Sequence, residues 1–383
     1  MKGWMGRVLN VDLGSGAITT TPLDMDMAQK FIGGRGLGAR LLWDLVGPEV
    51  DPFSPDNVLI FAAGPLTATG FQTSNRFSVS TKSPLTGTVL DANSGGWWGM
   101  HFKRAGYDAM IVRGRAEKPV YIEILEDGVT IKDATHLWGR TVSDTSEALG
   151  QDKNKRSVLC IGPAGEKRVL FAAIMNDATR AAARGGPGAV MGSKNLKAIV
   201  VEGKTRVEME DKERFRFVQY ESTKMLKANP ITSQAFPEFG TSVMMNIINA
   251  IGALPTRNFQ QTYFEHADDI SGETITEDIL VKNTACWACP IACTRQTKIG
   301  DQEPNEGPEY ETAWAFGAVC EIHDLEAVTE ANYICNDLGL DTISAGSTIA
   351  CAMELAERGL LDTDLRFGRA DLLLQTVEDI GYR

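Results

Sequence analysis

The chain has 383 residues, of which 43% are hydrophobic and 23% charged, which is ordinary for a folded protein of two or more domains. Its net charge of −12 argues against nucleic acid or an anionic membrane surface as a partner. No apolar run approaches the roughly 18 residues of a membrane-spanning helix, and the N-terminus lacks the apolar segment of a signal peptide. The seven cysteines, three of them in one short run, indicate a reducing cytoplasm.

The first 205 residues are predicted to be mostly β. Short β-rich runs recur between turn signals, and several of them alternate apolar and polar residues. One helix, at about residues 27–45, interrupts them. The predicted strands cover residues 8–13, 58–63, 76–81, 109–112, 120–125, 157–161, 170–175 and 198–201.

From residue 211 onward the apolar residues recur with the period of a helix. The predicted helices cover residues 211–227, 308–322, 326–338 and 342–358. The charged stretch 202–214 is the predicted boundary between the two halves. The sequence contains no internal repeat.

Four polar or glycine-rich stretches of the β half admit both a binding and a structural interpretation. Residues 33–38 (GGRGLG) have the look of a dinucleotide loop, but no strand precedes them, so this interpretation fails. Residues 74–76 place Arg76 at the start of a strand, where it suits an anion, although a solvated arginine is the commoner case. Residues 91–99 (DANSGGWWG) suit either a ligand or a plain turn. Residues 180–194 (RAAARGGPGAVMGSK) favour an anion site over a structural glycine turn.

Helix ends are the favoured explanation of residues 307–312, with a functional role as the alternative, and they fully account for residues 336–344. Residues 307–312 (GPEYET) are predicted to begin a helix with proline in its first position, where glutamates suit the helix dipole. In residues 336–344, Gly339 can end one helix and Asp341 can cap the next.

Cys286, Cys289 and Cys293 form a C-x-x-C-x-x-x-C run that places three thiolates in one loop and the start of a helix. This spacing favours an iron–sulfur cluster, which needs a fourth thiolate from elsewhere. Zinc and unliganded buried cysteines are the alternatives, but no second zinc-type half follows. The other four cysteines lie in no ligand-like context; they are Cys160, Cys320, Cys335 and Cys351. Cys320, Cys335 and Cys351 have the spacing of small residues in a helix core.

In this order, the motifs resemble those of the aldehyde:ferredoxin oxidoreductase family of tungsten enzymes over essentially the whole chain. Each is weak alone, but nine in register are specific. The resemblance implies an α+β protein with a double β-sheet base domain in residues 1–205 and a mainly helical domain in residues 206–383. The nine stretches are residues 33–38, 61–67, Arg76, 93–96, 180–194, 254–259, the cysteine run, 307–312 and 338–344.

The resemblance also implies cofactors: tungsten (or molybdenum) held by two pterins, a [4Fe-4S] cluster and a magnesium ion. Cys286, Cys289 and Cys293 are expected to ligate the cluster, with Arg76 between cluster and pterin. The other expected positions follow from the family's motifs. They are Asn93 and Gly95 at the pterin phosphates and magnesium, Arg180, Ala181, Ala183 and Arg184 in the second pterin segment, Asn336, Leu340 and Asp341 in the D-x-x-G-L-D motif, and Glu311 as the glutamate that moves a proton.

Two departures from the family pattern matter. Asn336 stands where the motif has aspartate, and an amide also donates where a carboxylate only accepts. The family also continues into a further helical domain with a second pterin motif, the fourth cysteine and a histidine near the metal. Residues 1–383 alone are therefore expected to hold neither a stable cluster nor the metal–pterin centre.

The activity implied by the resemblance is the oxidation of small aldehydes to carboxylic acids, with electrons passed to ferredoxin or another iron–sulfur carrier in the cytoplasm. It leaves a homo-oligomer open. One alternative is a tungsten subunit that reduces an aromatic ring carried as a thioester. The other is a non-catalytic remnant or electron-transfer subunit, which the ending just after a helical segment supports.

Overall fold

The computed structural model describes residues 2–383 and confirms the predicted α+β class. The described strands form two six-stranded sheets and one three-stranded sheet. They are β1 (Arg7–Asp12), β2 (Ile18–Pro22), β3 (Leu59–Ala63), β4 (Phe77–Lys82), β5 (Val89–Ser94), β6 (Ala109–Arg113), β7 (Val120–Leu125), β8 (Gly128–Asp133), β9 (Ser157–Cys160), β10 (Ile174–Asn176), β11 (Arg180–Ala182), β12 (Leu196–Val201), β13 (Leu280–Thr284), β14 (Thr294–Thr297) and β15 (Asn305–Glu306).

Helices cover the outer faces of the sheets and make up most of the second half. The α-helices are α1 (Met25–Phe31), α2 (Gly34–Leu45), α3 (Trp98–Arg104), α4 (Val142–Ala148), α5 (Pro163–Glu166), α6 (Pro187–Ser193), α7 (Lys212–Ala228), α8 (Phe236–Phe239), α9 (Met244–Ala250), α10 (Gly272–Thr274), α11 (Tyr310–Phe316), α12 (Leu325–Leu338), α13 (Thr342–Glu357) and α14 (Ala370–Tyr382). Short 3₁₀ turns cover Thr135–Leu137, Thr241–Val243, Asp268–Ile270 and Ala318–Cys320, and π turns cover Ile231–Ala235 and Ile275–Ile279.

The two large sheets share one strand order. The first runs β2-β1-β6-β3-β4-β5, and the second, read in the same direction, runs β8-β7-β12-β9-β10-β11. Each has one parallel pair, β1 with β6 and β7 with β12, and its other pairs are antiparallel. The chain therefore repeats one six-stranded plan although its sequence has no repeat, because such a plan requires only a suitable alternation of apolar residues.

The two large sheets share a hydrophobic core. Phe61 and Phe77 of the first sheet belong to the same buried cluster as Ile124 and Ile199 of the second. Trp98, at the start of α3, is completely buried in that cluster and stacks on Phe102 with ring centroids 4.9 Å apart. This double sheet gives a rigid base for the loops at the ends of β4, β5 and β11.

The predicted helix at residues 27–45 is two helices, α1 and α2. The chain breaks at Ile32, which has a positive φ of 66°, and at Gly33. A Cβ on Gly33 would lie 2.7 Å from the carbonyl oxygen of Ala63 and 2.9 Å from Cα of Gly64. The break therefore lets the start of α2 pack directly on the loop after β3, a tertiary contact that helical periodicity does not reveal.

Two other predicted elements are shorter than expected. The helix predicted at residues 308–322 begins at Tyr310 and ends at Phe316, so proline does not occupy its first position. It stops before Gly317, whose ψ of −97° leaves the helical region, and a side chain at this position would collide with Ile270 and with the carbonyl group of Ala313. The strand predicted at residues 170–175 is reduced to β10, since the residues before it pair with the α12–α13 junction instead.

The change from sheets to helices falls between Val201, the end of β12, and Lys212, the start of α7. The division into two domains at residue 205 remains a prediction. None of the helices described in residues 2–383 has the length and apolar character needed to cross a membrane.

Candidate cofactor cleft and cysteine site

A single cleft of about 860 Å³ opens between the double sheet and the helical half. Segments from both halves line it: the ends of β4 and β5, β11 and the loop after it, the cysteine loop, the start of α11 and the α12–α13 junction. The structure brings every site residue predicted from the sequence to this cleft. They are Arg76, Asn93, Gly95, Arg180, Ala181, Ala183, Arg184, Cys286, Cys289, Cys293, Glu311, Asn336, Leu340 and Asp341.

The cysteine run lies in the loop between β13 and β14, and the helix expected to begin there is absent because β14 follows at once. Ala288 and Ala292 adopt left-handed backbone with φ of 57° and 51°. The loop is tied to the double sheet, since the backbone N–H of Trp287 donates to the carbonyl group of Gly96 at 3.2 Å. All three cysteines thereby line one wall of the cleft.

Burial raises the pKa of the Cys293 thiol to about 11, and the nearby carboxylate of Glu309 adds to the shift while Arg180 opposes it. The thiolate at this position is therefore unfavourable until a cation compensates its charge. A metal centre supplies such a charge, so the donor set suits a soft metal bound by thiolates.

None of the other cysteines in residues 2–383 lines the cleft. Cys160, Cys320 and Cys335 are completely buried in apolar surroundings, which raise their thiol pKa values. Cys351 is exposed on α13, so the prediction that it is a small core residue is wrong. The described chain supplies three of the four thiolates that a cubane cluster needs.

Arg76 lies beside the cysteine loop, where the family resemblance places it. Its guanidinium group donates from Nε to the side-chain oxygen of Asn93 and from Nη2 to the Asn93 carbonyl oxygen, the latter at 3.3 Å. Gly95 lies between Arg76 and Cys286. A Cβ built on Gly95 would lie 3.5 Å from Nη1 of Arg76 and 2.7 Å from Sγ of Cys286. A glycine is thus the residue that lets both groups approach the same point.

Three residues that sequence reasoning missed hold the Gly95–Gly96 loop. Asn176 donates to the carbonyl group of Gly95 at 2.6 Å, and Asn75 donates to that of Gly96 at 2.8 Å. Asp177 accepts from the backbone N–H of Trp97 at 2.6 Å, and burial raises the pKa of this carboxyl group. Only Asn75 stood near a sequence signal, next to Arg76.

The side-chain oxygen of Asn75 is buried and has no hydrogen-bond partner among residues 2–383. Asn75 lines the cleft, so its unpaired acceptor is available to a donor or a cation bound there. An unpaired buried acceptor of this kind suits a bound cofactor.

The cleft contains four arginines, and three of them are paired with acids. Arg35 pairs with Asp91 at 2.7 Å, Arg180 with Glu306 at 3.2 Å and Arg184 with Asp341 at 3.0 Å. Arg76 is the exception, because no carboxylate among residues 2–383 lies within ion-pair distance of it. It is therefore the uncompensated positive charge of the cleft.

Glu306 shows how tightly the wall under the cysteines is packed. Burial raises the pKa of its carboxyl group to about 7, although the guanidinium group of Arg180 lowers it in part. Thr179 donates to the same carboxylate at 2.7 Å. Arg180 is thus fixed in place by its own partners and adds less free charge to the cleft than its sequence context suggests.

The α12–α13 junction is attached to the double sheet by backbone pairing. Gly339 has a φ of 75° and accepts from the N–H of Ala173 at 2.8 Å, while the N–H of Asp341 donates to Phe171 at 3.1 Å. Asp341 occupies the N-cap position of α13, but its side chain caps no N–H group there. Its carboxylate accepts from Arg184 and Ser344 instead, so helix punctuation alone does not explain this motif.

Glu311 lies in the first turn of α11 and is exposed to the cleft. Its Oε2 accepts from the indole N–H of Trp314 at 2.9 Å. This bond fixes one oxygen of the carboxylate and leaves the other for a bound molecule. Trp314 was not singled out by the sequence, although its i+3 spacing from Glu311 places both on one helix face.

Two family models match the chain. The aldehyde ferredoxin oxidoreductase N-terminal domain matches residues 8–203, and aldehyde ferredoxin oxidoreductase domains 2 and 3 match residues 218–383. The tungsten-containing aldehyde ferredoxin oxidoreductases of Thermococcus kodakarensis and Pyrococcus furiosus are 48% and 47% identical over the whole chain. The chain spans 65% of the length of each of these relatives.

A solved structure shows the same fold. It is the active site complex BamBC of benzoyl coenzyme A reductase in complex with 1,5-dienoyl-CoA, with a TM-score of 0.87 and 30% sequence identity. The match covers 100% of this chain and 61% of that one. By the family models and the sequence matches over the whole of this chain, it belongs to the aldehyde ferredoxin oxidoreductase family.

Proposed function

We propose that this chain is part of a tungsten bis-pterin oxidoreductase that oxidises small aldehydes to carboxylic acids and passes the electrons through a [4Fe-4S] cluster to ferredoxin. One observation carries the proposal: the residues that the family resemblance names in six distant segments line one cleft together with three cysteines. The identity of 47–48% to tungsten-containing aldehyde ferredoxin oxidoreductases supports it.

The residues present fit these groups. Cys286, Cys289 and Cys293 would supply three of the cluster's four thiolate ligands. No fourth cysteine among residues 2–383 lines the cleft. Arg76 would face both the cluster and the pterin, because it already lies beside Cys286 and Asn93. Its unpaired guanidinium group suits an anionic cofactor.

The remaining cleft residues would hold the pterin phosphates and magnesium. Asn93 and Gly95 present backbone and amide groups from β5, and Asn75 adds a buried acceptor. Arg184 and Asp341 are joined by an ion pair, and the arginine, whose side chain is more than half exposed, would also contact a bound phosphate. The other residues in this role are Arg180, Ala181, Ala183, Asn336 and Leu340.

When bound, the metal and its pterins supply two-electron oxidation of the aldehyde, which consumes one water and releases two protons and two electrons. Glu311 would accept one of these protons on the carboxylate oxygen that Trp314 leaves free. Arg76, placed next to Cys286, would stabilise negative charge on the reduced cluster and so favour its reduction.

Three further statements belong to the proposal. Molybdenum in place of tungsten is the alternative metal, the partner is ferredoxin or another iron–sulfur carrier, and the protein works in the cytoplasm. A homo-oligomer is compatible with all of them. Reduction of an aromatic thioester is the second candidate activity, because the BamBC structure shares this fold, but its 30% identity is lower than the 48% to the aldehyde enzymes.

The test is anaerobic purification of the protein from cells grown with tungstate, followed by measurement of tungsten, molybdenum, iron and sulfide. Aldehyde-dependent reduction of ferredoxin is the expected activity, and reduction of an aryl thioester is assayed beside it. Cys286→Ser should lose both iron and ferredoxin reduction, whereas Cys351→Ser, which alters an exposed cysteine outside the cleft, should keep them. Stoichiometric zinc without iron, or thioester reduction without aldehyde oxidation, would overturn the proposal.

The prediction that residues 1–383 alone bind neither cofactor needs a second preparation. The 383-residue chain and a protein of the relatives' full length are produced in the same anaerobic host and compared for metal content. Full iron and tungsten in the 383-residue chain would show that further residues are not needed.

A further inference from the structure

Two of the four histidines in the sequence meet on the surface of the helical half, away from the cofactor cleft. His266 and His323 are 57 positions apart, yet their rings stack with centroids 4.3 Å apart and planes inclined by 20°. Asp269 lies between them, with its Oδ2 at 3.3 Å from Nδ1 of His266 and 3.2 Å from Nδ1 of His323. One nitrogen from each ring therefore lies close to the same carboxylate oxygen.

We propose that His266, Asp269 and His323 form a binding site for a divalent ion of the zinc class. Imidazole nitrogens and a carboxylate are the donors that Zn²⁺ and its first-row neighbours bind. For metal–ligand bonds of about 2.0–2.1 Å, the edge of a tetrahedron is about 3.3 Å. The two nitrogen-to-oxygen distances match that edge, and all three donor atoms lie within 4.8 Å of one another.

The backbone holds these side chains in place. His266 and Asp269 are one 3₁₀ turn apart, and the N–H of Asp269 donates to the carbonyl group of His266 at 3.2 Å. Side chains three positions apart in such a turn lie on the same side. The ring of His266 also packs edge to face on Phe264, at 5.8 Å between centroids.

His323 reaches the site from a second segment that is equally fixed. It lies between Ile322, which is buried, and Asp324, which caps the start of α12. Gly317 brings the two segments together, because any side chain there would collide with Ile270 of the 3₁₀ turn. The packing of two loops thus brings the backbone of all three donor residues together.

The site is open to solvent, since the three side chains are about half exposed. Three protein donors leave at least one position of a tetrahedral ion for water or for a donor from another molecule. A bound ion would also link the 3₁₀ turn to the start of α12, so it should raise the stability of the folded chain.

The test uses a cofactor-loaded protein of the relatives' full length, in which the cluster cysteines are occupied, and ZnCl₂ as the probe. Equilibrium dialysis should show one zinc per chain beyond the resident metals, and Tm should rise with zinc concentration. Zinc affinity should fall about tenfold or more in His323→Ala. His136→Ala, which removes an exposed histidine elsewhere, should bind zinc like the wild type.

A second variant separates metal binding from simple hydrogen bonding. Asp269→Asn keeps an oxygen acceptor for the two rings but loses the charged ligand, so the fold and iron content should stay the same while zinc affinity falls. Co²⁺ at the site should give weak visible bands without the thiolate charge-transfer band that binding to Cys351 would produce. Equal zinc binding by the wild type, His323→Ala and Asp269→Asn would overturn the proposal, as would the absence of the additional zinc.

Discussion

Gly95 offers the sharpest test of how closely the cysteine loop packs on the double sheet. Its backbone is not left-handed, so alanine at this position introduces no φ strain. A Cβ there would lie 2.7 Å from Sγ of Cys286, whereas nonbonded heavy atoms attract at about 3.5–4.0 Å. The thiol must therefore retreat by roughly 1 Å in Gly95→Ala.

A shift of that size is large for a metal ligand and small for a fold. Metal–ligand distances are held to within about 0.2 Å. Overpacking of this kind costs about 1–3 kcal/mol, which is less than the roughly 5–15 kcal/mol by which folded proteins are stable. In a protein of the relatives' full length, we therefore expect Gly95→Ala to fold and to lose most of its cluster iron.

Iron and sulfide per chain, measured after anaerobic purification, report the outcome, and the EPR spectrum of the reduced protein reports the cluster type. Gly47→Ala is the matched control, because its backbone is also ordinary and a Cβ there would meet no atom of residues 2–383 within 4 Å. Wild-type iron content and an unchanged spectrum in Gly95→Ala would refute the close packing of Cys286 on Gly95.

Three further variants test buried groups. Burial lowers the pKa of His101, so protonation of its ring opposes folding. The fold is therefore most stable above the ordinary histidine pKa of about 6.5 and loses stability as the pH falls below it. The unfolding free energy of the wild type, measured in urea, should fall relative to that of His101→Gln between about pH 7 and pH 5. Lys103→Met should cost about 3 kcal/mol in unfolding free energy, because it leaves Asp108 buried with only its backbone N–H donors. Trp314→Phe removes the donor to Glu311 and should lower kcat for aldehyde about tenfold, with KM and iron content unchanged.

Each variant has a control on the exposed surface. His136→Gln should leave the pH dependence of wild type unaltered, and parallel curves for wild type and His101→Gln would contradict the first expectation. Lys204→Met breaks an exposed ion pair and should change stability by less than about 1 kcal/mol; an equally small effect at Lys103 would show that its pair contributes little. Trp43→Phe, at a tryptophan that is 78% exposed, should leave kcat unchanged. If Trp314→Phe did the same, the indole would have no role in positioning Glu311.

Eight of the twelve strands of the double sheet were predicted, because apolar runs such as β1, β3 and β7 mark buried strands. β2, β5, β8 and β11 were missed, since their exposed or polar residues carry no such run. The small sheet around the cysteines was missed because β13 (LVKNT) and β14 (TRQT) are short and polar, and only tertiary pairing makes them strands. The left-handed alanines of the cysteine loop carry no local signal either, since alanine rarely adopts that conformation.

Apart from the cysteine run, the members of the candidate site were named from the family resemblance, and their connections could not be predicted. The ion pair of Arg180 with Glu306, for example, joins residues 126 positions apart. The role of Asp341 was underestimated because its helix-capping position is a sufficient local explanation, and the carboxylate turns to Arg184 only in the assembled fold. Asn176 and Asp177, which hold the Gly95–Gly96 loop, had no recognisable motif.

The shared strand order of the two large sheets also bears on how such a cleft can change over evolution. β5 and β11 are edge strands, at equivalent positions of the two sheets, and they contact each other where they line the cleft. One copy can diverge in its loops while the other preserves the frame, so specificity and stability are open to separate selection. Exchanging loops between relatives one copy at a time would therefore reveal which half of the floor dictates the choice of ligand.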